Sequence, residues 1–235
     1  MHIHLKRLLK VAEFTDWDVA VRDSIKSKTS EITYFEKPGR VNTEAAISCA
    51  RKRALELGLK TLVVASTTGR TGVMAAEALA DTDIEVVVVA EHFGFSEEGK
   101  WLMDAANLDR LRSLNVKVMT QSHVLSGVER SISRVLGGTS RVEAIAEAFR
   151  RIVGVGVKVC IEATIMAADS GYIPCGPDIE VVVIAGTGGG ADTALVVRPA
   201  HMNNFFDLEI REVICMPRYK KPAKGNTTQP ESGPM

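Results

Sequence analysis

Three uninterrupted apolar runs constrain this chain more than any other feature: KTLVVAS (60–66), IEVVVVAE (84–91) and IEVVVIAG (179–186). A strand with one wet face alternates apolar and polar residues. These do not, so they belong in a sheet covered on both faces. Helical patterns separate them. Asn42 or Thr43 can cap a helix over about 43–58, with Glu44 in its first turn and Gly58 at its end. A second helix is expected over about 71–80. A third is expected over 97–114, where Trp101, Ala105, Leu108, Leu111 and Leu114 recur at helical spacing. Alternating strands and helices define an α/β fold with a mostly parallel sheet.

The remaining elements follow the same logic. NVKVMT (115–120) is a third strand. Two capping boxes come next, Ser126 with Glu129 and Ser140 with Glu143, each opening a helix. GVKVCIEATIMAADSG (156–171) is ambiguous by period, but its length and Gly171 favour a helix. ADTALVVRP and LEIREVICM read as further strands, and EITYF (31–35) as a short edge strand. The basic start MHIHLKRLLKVAEF reads as an extension over residues 1–30, and the Pro-rich end over 218–235 as a disordered tail. The domain proper is expected over 31–217.

Lys plus Arg equals Asp plus Glu at 29 each, which gives no global field to attract nucleic acid or an acidic membrane. No apolar run approaches the roughly 18 residues of a membrane span. Cys49, Cys160, Cys175 and Cys215 form no CxxC pair, which suits reduced thiols in a cytoplasmic protein. His2, His4 and His201 lack a metal-site spacing, so no metal is expected.

In a parallel sheet, ligands sit beyond the carboxyl ends of the strands, where strand order reverses. After the first long strand comes Ser66-Thr67-Thr68-Gly69-Arg70-Thr71-Gly72. Hydroxyls, a helix N-terminus, two glycines and an arginine able to make two parallel bonds form the set of groups a phosphate needs. The spacing and lysine of a Walker loop are absent. The alternative is a tight turn with Thr71 as N-cap. After the second strand, His92, Phe93, Gly94 and Phe95 could meet a planar ring, or the two Phe side chains could anchor the loop. After the third come Gln121, Ser122 and His123. After the fourth, Gly186, Thr187, Gly188, Gly189, Gly190 and Ala191 would let a ligand touch the backbone, and Asp192 could bind that ligand or its own turn. In PAHMNNFFD (199–207), Phe205 and Phe206 read as cover for the sheet edge or an oligomer contact.

VVASTTGRTGVMAAEAL (63–79) resembles the phosphate-binding turn of the pyruvate kinase C-terminal domain, and VKVCIEATIMAADSG, IEVVVIAG, TGGGADT and ALVVRP follow in the same order. The stretch from about 32 to 217 is still more similar to a stand-alone archaeal family of pyruvate-kinase-C-terminal-domain-like proteins, through SGVERSISRVLGG, MAADSGYIP and RPAHMNNFFDLEI. The resemblance implies a three-layer αβα sandwich. Its sheet would have the order 3-2-1-4-5, with strand 5 antiparallel, placing 66–72 opposite 186–191. It also implies flavin mononucleotide (FMN), with phosphate on Thr67–Thr71 and the ring toward His92–Phe95 and the second glycine loop. Pyruvate kinase activity is not implied, because the catalytic barrel is missing from the matching stretch. The expectation is a cytoplasmic, homo-oligomeric protein that binds a small phosphorylated ligand. It could be a flavin-dependent oxidoreductase or a non-catalytic sensor of a sugar phosphate or nucleotide.

Overall fold

Seven strands form one sheet in the computed structural model, which describes residues 27–220. In chain order the elements are β1 (Thr33–Phe35), α1 (Thr43–Leu57), β2 (Thr61–Ala65), α2 (Arg70–Ala78), β3 (Glu85–Ala90), α3 (Ala105–Ser113) and β4 (Lys117–Thr120). There follow α4 (Val128–Leu136), α5 (Arg141–Ala148), a π-turn (Phe149–Val153), α6 (Val155–Asp169), β5 (Val181–Ala185), β6 (Thr193–Arg198) and β7 (Glu209–Pro217). The readings made for residues 1–26 and 221–235 lie outside the described residues. Among those described, no helix is long and apolar enough to cross a membrane.

The strand order is β1-β7-β6-β5-β2-β3-β4. Five consecutive strands running in from the β4 edge, β4-β3-β2-β5-β6, carry the expected 3-2-1-4-5 order, and β6 runs antiparallel to β5. Beyond them β7 pairs antiparallel with β6, and β1 pairs parallel with β7 as the edge strand. The order reverses between β2 and β5, which run parallel in the register Leu62↔Val182 to Val64↔Ile184. The reversal therefore brings the ends of these two strands side by side.

Each central strand feeds two cores, which is why its sequence shows no polar alternation. Leu62, Val64, Val86, Val88, Val182 and Ile184 face the layer of α1, α2 and α3. Val63, Val87, Val89, Val181 and Val183 face α6, with Ala146 and Leu125 beside it. Residues 156–168 of α6 are nearly all buried, so that helix has no polar stripe for periodicity to reveal. Helix α1 ends at Gly58 in the left-handed conformation (φ 67°), as its glycine suggests.

Two local expectations fail. The helix expected over 97–114 begins only at Ala105, because Asp104 caps it by accepting the Asn107 N–H at 3.0 Å. Trp101 instead pins the preceding loop, its Nε1 donating to the Glu91 carbonyl at 2.8 Å. The Ser126–Glu129 capping box does not form either: Gly127 is the N-cap of α4, and no side chain caps it. The second box does form, with Ser140 and Glu143 bonding reciprocally at 3.1 Å.

Candidate functional site

A cleft of about 530 Å³ opens along the carboxyl ends of β2, β3 and β5. That volume lies within the range of about 300–1,000 Å³ typical of small-molecule sites. Its floor is the β2–α2 turn. Gly69 is the N-cap of α2 at φ 85°, and a Cβ there would lie 2.6 Å from Met103 Sδ. Gly72 lets α2 settle onto β3, since its Cβ would lie 2.7 Å from Val88 Cγ2. The buried Ser66 hydroxyl accepts the Gly72 N–H at 3.2 Å. The N–H groups of Arg70 and Thr71, in the first turn of α2, have no intrahelical acceptor. Thr71 is not the N-cap but a buried helical residue.

The β5–β6 turn forms the facing wall. Buried Asp192 holds it: Oδ2 accepts N–H bonds from Thr187 at 3.1 Å and Gly39 at 2.8 Å, and Oδ1 accepts the Thr193 hydroxyl at 2.9 Å. Of the two roles open to Asp192, the geometry gives it the structural one. Ala191 is fully buried, with its N–H on Thr43 Oγ1. Gly190 packs against Arg40 and Thr43, while Gly188 and Gly189 face open space.

Ser66, Thr67, Thr68, Arg70, Thr71, His123, Gly186, Gly188, Gly189 and Gly190 all line the cleft. Gly69, Thr187 and Ala191 shape its turns from behind. Phe93 turns away and stacks on Trp101 (centroids 5.3 Å, planes 19° apart), whereas Phe95 lines the cleft 4.9 Å from the His123 ring. His92 sits behind these two rings, edge-on to both. Gly94 shapes the loop, its N–H bonding the Lys100 carbonyl. Gln121 is tied to Ser170, and Ser122 is exposed outside the lining.

Several lining residues were not foreseen. Arg40 opens the short 3-10 turn (Arg40–Asn42) that precedes α1, and Arg130 and Arg150 flank α5 in the chain. Among the described residues neither Arg40, Arg70 nor Arg130 has a carboxylate partner, although many surface arginines do. Lys158 and Glu162, one turn apart on α6, form a buried ion pair at the cleft wall. The opposite Glu162 oxygen accepts the Leu125 N–H at 2.9 Å, and His123 Nδ1 stands 4.0 Å from the pair. Sequence held one clue to the pair: two opposite charges at i, i+4 inside an otherwise apolar helix.

Burial governs the charges. It lowers the Lys158 ammonium, against the pull of Glu162, and lowers the His123 imidazole, so that the latter is neutral at pH 7. It raises the Glu91 carboxyl, partly offset by the Thr67 hydroxyl. Glu91 Oε2 is buried and has no hydrogen-bond partner among the described residues. Such a group is an acceptor suited to a ligand N–H or hydroxyl.

The fold is that of an α/β domain, and its cleft lies at the switch point of the sheet, where β2 meets β5. The chain belongs to the family "Pyruvate kinase, alpha/beta domain", whose model matches residues 44–197. Among solved structures it is similar to a pyruvate kinase from Cryptosporidium parvum, at 13% identity and a TM-score of 0.35, over 79% of this chain and 27% of that one. It also resembles a hydrogen sulfide-producing enzyme from Fusobacterium nucleatum, at 16% identity and a TM-score of 0.28, over 59% of this chain and 44% of that one. The chain thus spans about a quarter of the length of the pyruvate kinase it matches.

Proposed function

We propose that the cleft binds a phosphorylated ligand, FMN, and that the protein is a flavin-dependent oxidoreductase. The observation that carries this reading is the pair of guanidiniums, Arg40 and Arg70, that have no acid partner among the described residues and line the same cleft as the open N–H groups and hydroxyls of the β2–α2 turn. Two guanidiniums match the charge of a phosphate dianion, and Arg70 can meet it with two parallel bonds. The residues present fit the rest of the cofactor. Gly188 and Gly189 offer bare backbone, Phe95 and His123 an aromatic wall, and Glu91 Oε2 an unpartnered acceptor.

Bound flavin would supply reversible electron or hydride transfer. This chain would orient it, exclude water with Val89, Met74 and Met166, and hold a proton on the Lys158–Glu162 pair. Pyruvate kinase activity is not assigned, since the family match covers the alpha/beta domain alone. The four cysteines are all free, which supports a reducing, cytoplasmic setting. The exposed Val128, Ile132, Val135 and Leu136 on α4 support self-association into a homo-oligomer.

Purification should yield a yellow protein that releases FMN on heating, or a colourless one that takes up added FMN. Nicotinamide donors should then bleach the bound flavin. A protein that ignores FMN but is stabilised by sugar phosphates would instead be a sensor, the non-catalytic reading of the same turn.

A further inference from the structure

The cleft crosses the edge of the sheet, and its cations fall into two groups on opposite faces. Arg40 stands in the turn before α1 and Arg70 opens α2, on the side of the first core. Arg130, Arg150 and Lys158 stand on α4, the π-turn and α6, on the side of the second. The strand-end residues Ala65, Ala90 and Glu91 lie between the groups.

The two groups differ in uncompensated charge. On the first side neither guanidinium has an acid partner among the described residues. On the second, Lys158 is paired with Glu162 and Arg150 with Glu147 at 2.7 Å. Arg130 has no acid partner among the described residues; Glu143, an acid that feels its field, bonds to Ser133 and Ser140 instead. His123, neutral at pH 7, adds a ring nitrogen but no charge. The first pole thus suits a dianion and the second a monoanion.

We propose that the cleft carries a second anion-binding pole on the α6 face, centred on Arg130 with Lys158 and His123, which holds the carboxylate of a small organic acid beside the phosphorylated ligand. Arg130 grips the carboxylate, and the Lys158 ammonium, fixed by Glu162, donates to it. For a flavin-dependent enzyme this acid is the substrate, whose carboxylate is fixed while the cofactor's phosphate occupies the other pole. The proposal rests on the preceding reading only for the occupant of the first pole.

Footprinting with phenylglyoxal, which modifies arginines, tests it on the full chain without need of activity. Millimolar glycolate should slow labelling of Arg130 and leave Arg40 and Arg70 unaffected, while inorganic phosphate should protect Arg40 and Arg70. Calorimetry should show Arg130→Ala weakening glycolate about tenfold or more, as expected for loss of a charge-assisted bond, with phosphate binding kept. Arg130 is exposed, so the variant should fold normally. Glycolate that leaves Arg130 unprotected, or that binds Arg130→Ala as well as the parent protein, overturns the second pole. Phosphate that protects neither Arg40 nor Arg70 overturns the first reading and leaves the second pole intact.

Discussion

Removing Lys158 should be among the most damaging single changes available to this protein, and its cost can be worked from the structure. Both members of the Lys158–Glu162 pair are over nine-tenths buried. In Lys158→Met the Glu162 carboxylate keeps only the Leu125 N–H at 2.9 Å, with neutral His123 at 4.0 Å. An uncompensated buried charge of this kind costs about 3–5 kcal/mol. The double variant Lys158→Met/Glu162→Gln removes both charges yet keeps an acceptor for Leu125. It should recover at least about 2 kcal/mol of the loss, since neutral replacement of a buried pair is often tolerated. Urea unfolding of the parent protein, Lys158→Met, Glu162→Gln and the double variant at pH 7 measures all of this. A loss below about 1 kcal/mol in Lys158→Met, or simple additivity in the double variant, would show that the pair is not buried as described.

Two further outcomes follow from the site. Gly72→Ala places a methyl 2.7 Å from Val88; overpacking costs about 1–3 kcal/mol, against a helix-propensity gain of up to about 1, so urea unfolding should show a net loss. An unchanged midpoint would mean that α2 does not pack so closely on β3. His123 is held below its ordinary pKa of about 6.5 by burial. Below that pH the unfolded chain takes up a proton that the folded chain resists, so stability falls as pH drops through this window. The loss of Tm between pH 7 and pH 5 should be smaller in His123→Phe than in the parent protein. Equal losses would refute the assigned shift.

The sheet was legible because its strands are buried on both faces, which leaves an apolar signature that no loop imitates. The order of the central strands came through resemblance. The β2–α2 turn could be recognised because its chemistry is contiguous: hydroxyls, glycines and Arg70 lie within seven residues. Arg40 and Arg130 could not, since they reach the cleft from separate elements and each looks locally like an ordinary surface charge; Lys158 left only its i, i+4 spacing to Glu162 in an apolar helix as a clue. Trp101 misled for a related reason. Its spacing fits a helix, but its indole N–H is committed to the Glu91 carbonyl of the preceding loop. Asp192 read either as a ligand contact or as a bond to its own turn; it takes the second role and also ties that turn to Gly39.

The central claim is that the β2–α2 turn recognises a phosphate carried by a flavin. The most direct measurement is the affinity of the protein for FMN against riboflavin, the same molecule without its phosphate, followed by flavin fluorescence. FMN should bind at least about tenfold more tightly, the equivalent of one charge-assisted contact, and Arg70→Ala with Thr71→Ala should abolish the difference. Equal affinities in the parent protein, or a preference that survives both substitutions, would contradict it.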